Sequence, residues 1–255
     1  MQTSRRWILA ALVVASALPV VTTSLNAQIR RRPRVSVEVP SRFTIGGDLL
    51  VSVPKGELDN QIDNGFGGDF YGLFRLDREG VISLRGDLGG LEYGHETVRV
   101  PGFPLTGRVG LRVVTTNNIF WGAIGPQITV PMGPVRPYAN AGIGFMYFST
   151  YSSVRGEDQY GGAYSFGNTE NQSDDTHTWI FGGGVLFRLG SGRNAPLSLN
   201  VGGRYFTGGE ATYLKEGAIR DNPDGTITIF PSHSKTDQIT WHLGVSYTIP
   251  RHIRR

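Results

Sequence analysis

The chain has 255 residues, 36 of them glycine, with no cysteine and only 18% charged side chains. Glycine use is roughly twice the ordinary ~7%, yet 39% of residues are hydrophobic, so neither a collagen repeat nor a disordered chain fits. Without cysteine there is no disulfide scaffold, thiolate metal site, cysteine nucleophile or acylated lipoprotein cysteine.

Residues 1–27 carry Arg5 and Arg6, an apolar run from Trp7 to Val21, and a small-residue exit ending at Ala27. That order predicts a secretory signal peptide cut after Ala27; the apolar run is short for a spanning helix, which needs about 20 residues. Its removal takes away two arginines and no acid, leaving 23 basic against 21 acidic residues. A basic tail follows over 28–41 with Arg30, Arg31, Arg32 and Arg34, and another closes the chain over 251–255 with Arg251, Arg254 and Arg255. No aromatic residues interleave these arginines, so they are expected as solvated tails and nucleic acid is not an expected partner.

Beyond the signal no segment reaches 18 consecutive apolar residues, which excludes a helical span. Period-2 alternation recurs instead and predicts eight strands, at about 42–53, 66–77, 81–94, 112–131, 135–151, 176–190, 196–210 and 238–250. The last is the clearest: Ile239, Trp241, Leu243, Val245, Tyr247 and Ile249 share one face, with Thr240, His242, Gly244, Ser246 and Thr248 on the other. Within the fourth, Thr115-Thr116-Asn117-Asn118 could form a tight turn. Keeping that strand continuous gives short links after strands two, four and six. It leaves long ones, about 54–65, 95–111, 152–175 and 211–237, after strands one, three, five and seven. Such parity around an even strand count fits a transmembrane barrel with short periplasmic turns, longer external loops and both termini in the periplasm. A soluble barrel of lipocalin type would turn the apolar face inward, but the opposite face then lacks the charge a water-exposed surface carries.

His242-x-Gly244-x-x-Tyr247-x-Ile249 resembles the C-terminal recognition signal of bacterial outer-membrane barrels, here followed by the tail after Pro250. Together with Gly46-Gly47, Pro54-Lys-Gly-Glu57, Ser83-Leu-Arg-Gly-Asp-Leu88, Gly133-Pro-Val-Arg-Pro-Tyr138 and Ala141-Gly-Ile-Gly144, it makes residues 42–250 resemble the outer-membrane protein β-barrel superfamily of the small eight-stranded OmpA/OmpX type. The resemblance implies an all-β, eight-stranded antiparallel transmembrane up-and-down barrel in the bacterial outer membrane. It also implies contact with outer-membrane lipid and lipopolysaccharide, and delivery by the barrel-assembly machinery. It implies no single activity.

An eight-stranded barrel is just wide enough for side chains to fill it. Strand parity points Asp48, Arg75, Arg85, Asp87, Arg188, Arg204, Glu210 and His242 inward among glycines, which predicts a structural Arg–carboxylate network, since an unpaired buried charge is costly. An open lumen or a cleft is the alternative. On the outside, Phe70, Tyr147, Trp179, Tyr205 and Trp241 are expected toward the external ends of their strands and Tyr247 toward the periplasmic end, as aromatic girdles.

His95 and His233 lie in long loops and His177 follows Asp174-Asp175, each near acids or serines, as a barrel-resident lipid-modifying enzyme would need, but no spacing demands catalysis. Asp221-Asn-Pro-Asp224-Gly has calcium-compatible oxygens without the spacing of a calcium loop, and Asn-Pro and Asp-Gly favour a turn. Residues 226–230 predict a short external hairpin arm, and 153–175 a Gly/Tyr/Ser/Asn-rich polar loop, expected to be unspecific although its composition would suit surface recognition. No catalytic, cofactor or metal site is expected. The expected role is a structural or surface-contact one through the external loops, around a plugged lumen; a narrow pore is the first alternative and a lipid-modifying enzyme the second.

Overall fold

The computed structural model describes residues 42–101, 110–157, 163–190, 196–222 and 226–250. The expected signal peptide over 1–27, the expected basic tail from 28 through 41 and residues 251–255 lie outside the described residues.

Eight long strands form a closed ring: β1 (Phe43–Pro54), β2 (Gly65–Arg75), β3 (Ile82–Pro101), β4 (Gly110–Thr129), β5 (Val135–Glu157), β6 (Ala163–Leu189), β7 (Leu197–Gly208) and, after four short strands, β12 (Gln238–Thr248). Each pairs antiparallel with its chain neighbour, and β12 closes on β1 from Thr44↔Thr248 to Pro54↔Gln238. Closure matters because every backbone N–H and C=O in a bilayer needs a partner within the protein, and an open sheet would leave two unpaired edges.

β4 passes through Thr115–Asn118 without turning, so the parity holds. The barrel's short turns are built locally. Asp77 accepts from Val81 N–H (2.8 Å) and Ile82 N–H (3.0 Å), while Gly80 takes φ +79°, a conformation a Cβ would strain. Gly133, φ +90°, does the same between β4 and β5.

The barrel is inside-out relative to a soluble protein. Leu49, Leu88, Ile143, Phe181 and Leu243 project from the wall and are exposed, Phe70 by 77%, whereas Arg85 and Arg204 are 2% exposed in the lumen. An apolar belt of this extent is stable against hydrocarbon and not against water, which makes the fold a transmembrane barrel and removes the inward-facing lipocalin alternative.

The described parts of two expected loops, 95–111 and 152–175, prove to be strand. β3 parts from β2 at Phe66↔Glu92 yet stays paired with β4 to Pro101↔Gly110. β6 parts from β7 at Thr178↔Gly208 and stays paired with β5 to Glu157↔Ala163. At 27 residues, β6 far exceeds the roughly 9–11 that a tilted strand needs to cross a bilayer. The four-stranded sheet β3–β6 therefore stands beyond the membrane, with bulges at Glu92/Gly94, Thr150/Tyr151 and Val154/Arg155.

The connection after β7 folds into two small sheets. β8 (Glu210–Tyr213) pairs with β11 (Ser232–Lys235), and β9 (Ile219–Asp221) with β10 (Ile227–Ile229), the expected hairpin arm. Residues 223–225 of the candidate calcium loop lie outside the described residues; Asn222 N–H donates to the Thr226 carbonyl at 2.8 Å.

Candidate functional site: the filled lumen and the outer rim

The lumen is filled in two tiers. In the first, inward positions of β1 to β5, β7 and β12 converge. Arg85 forks onto Asp87, with Nε 2.9 Å from both carboxylate oxygens and Nη2 2.7 Å from Oδ1, and Nη1 donates to Gln127 Oε1 at 2.9 Å. Its guanidinium also lies 4.0 Å above the Tyr71 ring. Arg204 donates Nη1 to Asp69 and stands 3.4 Å from both Asp48 and Asp87. Asn200 donates Nδ2 to both oxygens of Asp48 (2.8 and 2.9 Å), and Tyr138 donates its hydroxyl to Asn200 Oδ1 at 2.9 Å. His242 Nε2 stands 2.8 Å from the same hydroxyl.

Glycine makes this layer possible. A Cβ at Gly46 would strike the Tyr71 ring, one at Gly202 the imidazole of His242, and one at Gly244 the carbonyl of Gly47 and the Asp48 carboxylate.

The second tier, nearer the outer rim, is apolar. Leu91, Ile119, Trp121, Met146, Phe148 and Phe206 pack with Tyr93 in one buried cluster. The Trp121 and Phe206 rings meet edge-on at 5.5 Å, and Phe148 stacks on Tyr213 at 5.3 Å. Two segments of the long connections close it from above: Leu58 and Ile62 around the 3₁₀ turn Leu58–Asn60, and Ala211, Tyr213 and Leu214 from the β7–β12 connection. Tyr93 donates its hydroxyl to the Leu214 carbonyl at 2.9 Å, and Tyr213 shares a 2.7 Å bond with Ser234.

Of the eight inward charges expected, Asp48, Arg85, Asp87, Arg204 and His242 meet in the first tier, with Asp69, Tyr71, Gln127, Tyr138 and Asn200 added. Arg75 and Arg188 face inward only at the turn-side mouth, half-buried and away from the carboxylates. Glu210 is not in the lumen: its side chain is 63% exposed, 3.4 Å from His233. β7 ends at Gly208 and β8 restarts at Glu210, so the alternation that placed it inward does not run through Gly209.

Among the outward aromatics, Trp179 (52%), Tyr205 (38%) and Trp241 (60%) lie on the side of the long connections, and Tyr247 (40%) at the turn-side end of β12. Phe70 occupies the midpoint of β2 rather than its external end, and Tyr147 is half-buried, donating to Glu170 at 2.6 Å.

At the outer rim, carboxylates hold the projecting sheet to the loops. Glu216 accepts from His95 N–H (2.8 Å) and Glu96 from Gly217 N–H (3.0 Å), so the β7–β12 connection covers the edge of β3. Asp174 accepts from Thr212 N–H (2.7 Å) and Glu57 from Lys235 N–H (3.0 Å). Unpaired strand edges invite pairing with other chains, and these side chains satisfy them instead.

The loop histidines do not gather into one centre. His95 lies 3.2 Å from Glu92 and His233 lies 3.1 Å from Thr212 Oγ1, both exposed; the peptide carbonyl of His177, another exposed residue, accepts from Gly209 N–H. Among the described residues, no three metal-ligating side chains converge.

No protein-family model and no curated protein matches the chain. Solved structures similar to it include the attachment invasion locus protein Ail of Yersinia pestis (13% identity, 83% of this chain and 99% of that one, TM-score 0.39). Neisserial surface protein A, NspA, gives 14%, 82% and 98%, with TM-score 0.42. The outer membrane protease OmpT of Escherichia coli gives 10%, 84% and 98%, with TM-score 0.32. At these values neither ligand nor activity transfers.

Proposed function

We propose that the protein is a non-enzymatic outer-membrane barrel that serves envelope structure or surface contact through its external half, with a lumen closed to solutes. The observation that carries this reading is the pairing of two opposite features. The lumen is occupied first by a hydrogen-bonded charged layer and then by a packed aromatic layer, while β3–β6 extend well past the bilayer. A pore needs continuous water through the lumen; this chain devotes large buried side chains to filling it and long strands to reaching outward.

In this reading the short turns lie in the periplasm with both termini, the apolar belt meets outer-membrane lipid and lipopolysaccharide, and the assembly machinery engages β12. The exposed His233–Thr212 and His95–Glu92 contacts belong to the rim, where water competes for each of them.

Planar-bilayer recordings on the refolded mature chain test the closed lumen. The expected result is a flat baseline at concentrations where heat-modifiable gel mobility shows full insertion. Discrete conductance steps would replace this reading with the narrow pore.

A further inference from the structure

At the turn-side mouth, below the charged layer, lies a second feature which the filled lumen does not explain. A cavity of about 70 Å³ is walled by Arg42 before β1, Arg75 ending β2 and Arg136 opening β5, with the hydroxyls of Ser83, Thr129 and Ser246 around it. That is several times the roughly 10–15 Å³ that one water occupies. Arg75 and Arg188 are both close enough to Arg136 to repel its charge.

These arginines are treated unlike the two in the layer above. Arg85 and Arg204 are each matched to carboxylates. Among the described residues Arg42, Arg75, Arg136 and Arg188 make no ion pair, and Glu79, which also lines the cavity, is exposed and forms none with them. Arg136 donates Nη2 to Ser198 at 2.8 Å, but its Nε is buried without a hydrogen-bond partner. Like charges gathered around a cavity, with a buried donor unmet, are unfavourable in isolation. They become favourable around a guest that is negative and rich in acceptors.

We propose that the turn-side mouth is a binding site for an oxyanion, a carboxylate or phosphate group, held by Arg75 and Arg136 with Arg42 at the entrance. Guanidinium forks match both groups bidentately, and the surrounding hydroxyls complete the shell. The walls are inward side chains, so the guest's charged group reaches the site through the mouth, whether it is free in water or carried on a lipid headgroup at the membrane surface. Only the compartment it comes from rests on the orientation proposed above.

The test is calorimetric titration of the full mature barrel, in zwitterionic nanodiscs at constant ionic strength, with inorganic phosphate and with acetate. Nanodiscs leave both mouths open, so the outcome is independent of orientation. Saturable binding is expected, weakened about tenfold or more by Arg136→Gln and several-fold by Arg75→Gln, and unchanged by Arg78→Gln, which lies outside the cavity. If Arg136→Gln fails the gel-mobility check for folding, the half-buried Arg75 decides the matter. Nanodiscs containing phosphatidylglycerol separate the sources: weaker phosphate uptake there assigns the site to a lipid headgroup, equal uptake to a water-borne anion. No saturable heat, or variants that bind phosphate as the wild type does, would overturn the proposal.

Discussion

Arg204 on β7 donates to Asp69 on β2 across the lumen, although two whole strands, β12 and β1, separate them in the barrel wall. The pair ties non-adjacent staves together, which wall hydrogen bonds alone cannot do. Removing the guanidinium would leave Asp48, Asp69 and Asp87 with Arg85 alone, and breaking such a buried pair costs about 3–5 kcal/mol. Arg204→Ala and Arg85→Ala should lower the unfolding free energy, read from urea titration in a fixed lipid, by that order. Leu84→Ala, on the lipid face, should change it by well under half as much. Midpoints equal to wild type for both arginine variants would show that the layer contributes no stability.

The aromatic tier makes its own prediction. Trp121 is 2% exposed, and its edge-on partner Phe206 is fully buried, so truncation leaves a cavity that the rigid wall cannot collapse around. Trp121→Ala or Phe206→Ala should cost about 3–5 kcal/mol in the same assay.

Asp77 gives a pH dependence. Desolvation pushes its carboxyl up, but the N–H groups of Val81 and Ile82 outweigh that and leave it below the ordinary aspartate range. A depressed folded value contributes stability that is present above the unfolded value, about 3.9, and is lost as pH falls through the folded one. The midpoint difference between wild type and Asp77→Asn should therefore be visible at pH 6 and shrink steadily below about pH 4. A difference constant across that range would remove the carboxylate from the turn.

The clasp at the outer rim predicts a local effect. Glu96→Ala and Glu216→Ala each remove an acceptor from an amide N–H, of Gly217 and His95 respectively. Hydrogen exchange at those amides should accelerate several-fold or more, while the global midpoint stays within about 0.5 kcal/mol, as for surface changes generally. Unchanged exchange would mean that the β7–β12 connection is held by its apolar residues alone.

Within the bilayer the fold was legible because each strand faces two different media, so apolar and polar residues must alternate. Past the membrane both faces of β3–β6 meet water or loops, and the period fades although the hydrogen-bond ladder continues through Val98↔Val113 and Val114↔Ser153. The charged layer was legible by parity for Asp48, Arg85, Asp87, Arg204 and His242. Asp69 shares the parity of Tyr71 on β2, a signal present in the sequence, whereas Tyr138 and Asn200 matter through contacts reaching across the lumen that no local pattern carries. The cavity at the mouth was hidden for the same reason, since Arg75 and Arg136 come from β2 and β5, with β3 and β4 between them.

The central claim, an apolar wall against lipid around a closed interior, is tested most directly by site-specific labelling, for which the cysteine-free chain is well suited. A fluorophore placed through Leu243→Cys or Ile143→Cys, on outward positions more than half exposed, should be quenched by brominated lipid in reconstituted vesicles. The same label at Asn168→Cys, on the projecting part of β6, should be quenched by aqueous iodide alone. Labels at Leu243 and Ile143 that answer to iodide and ignore brominated lipid would contradict the account.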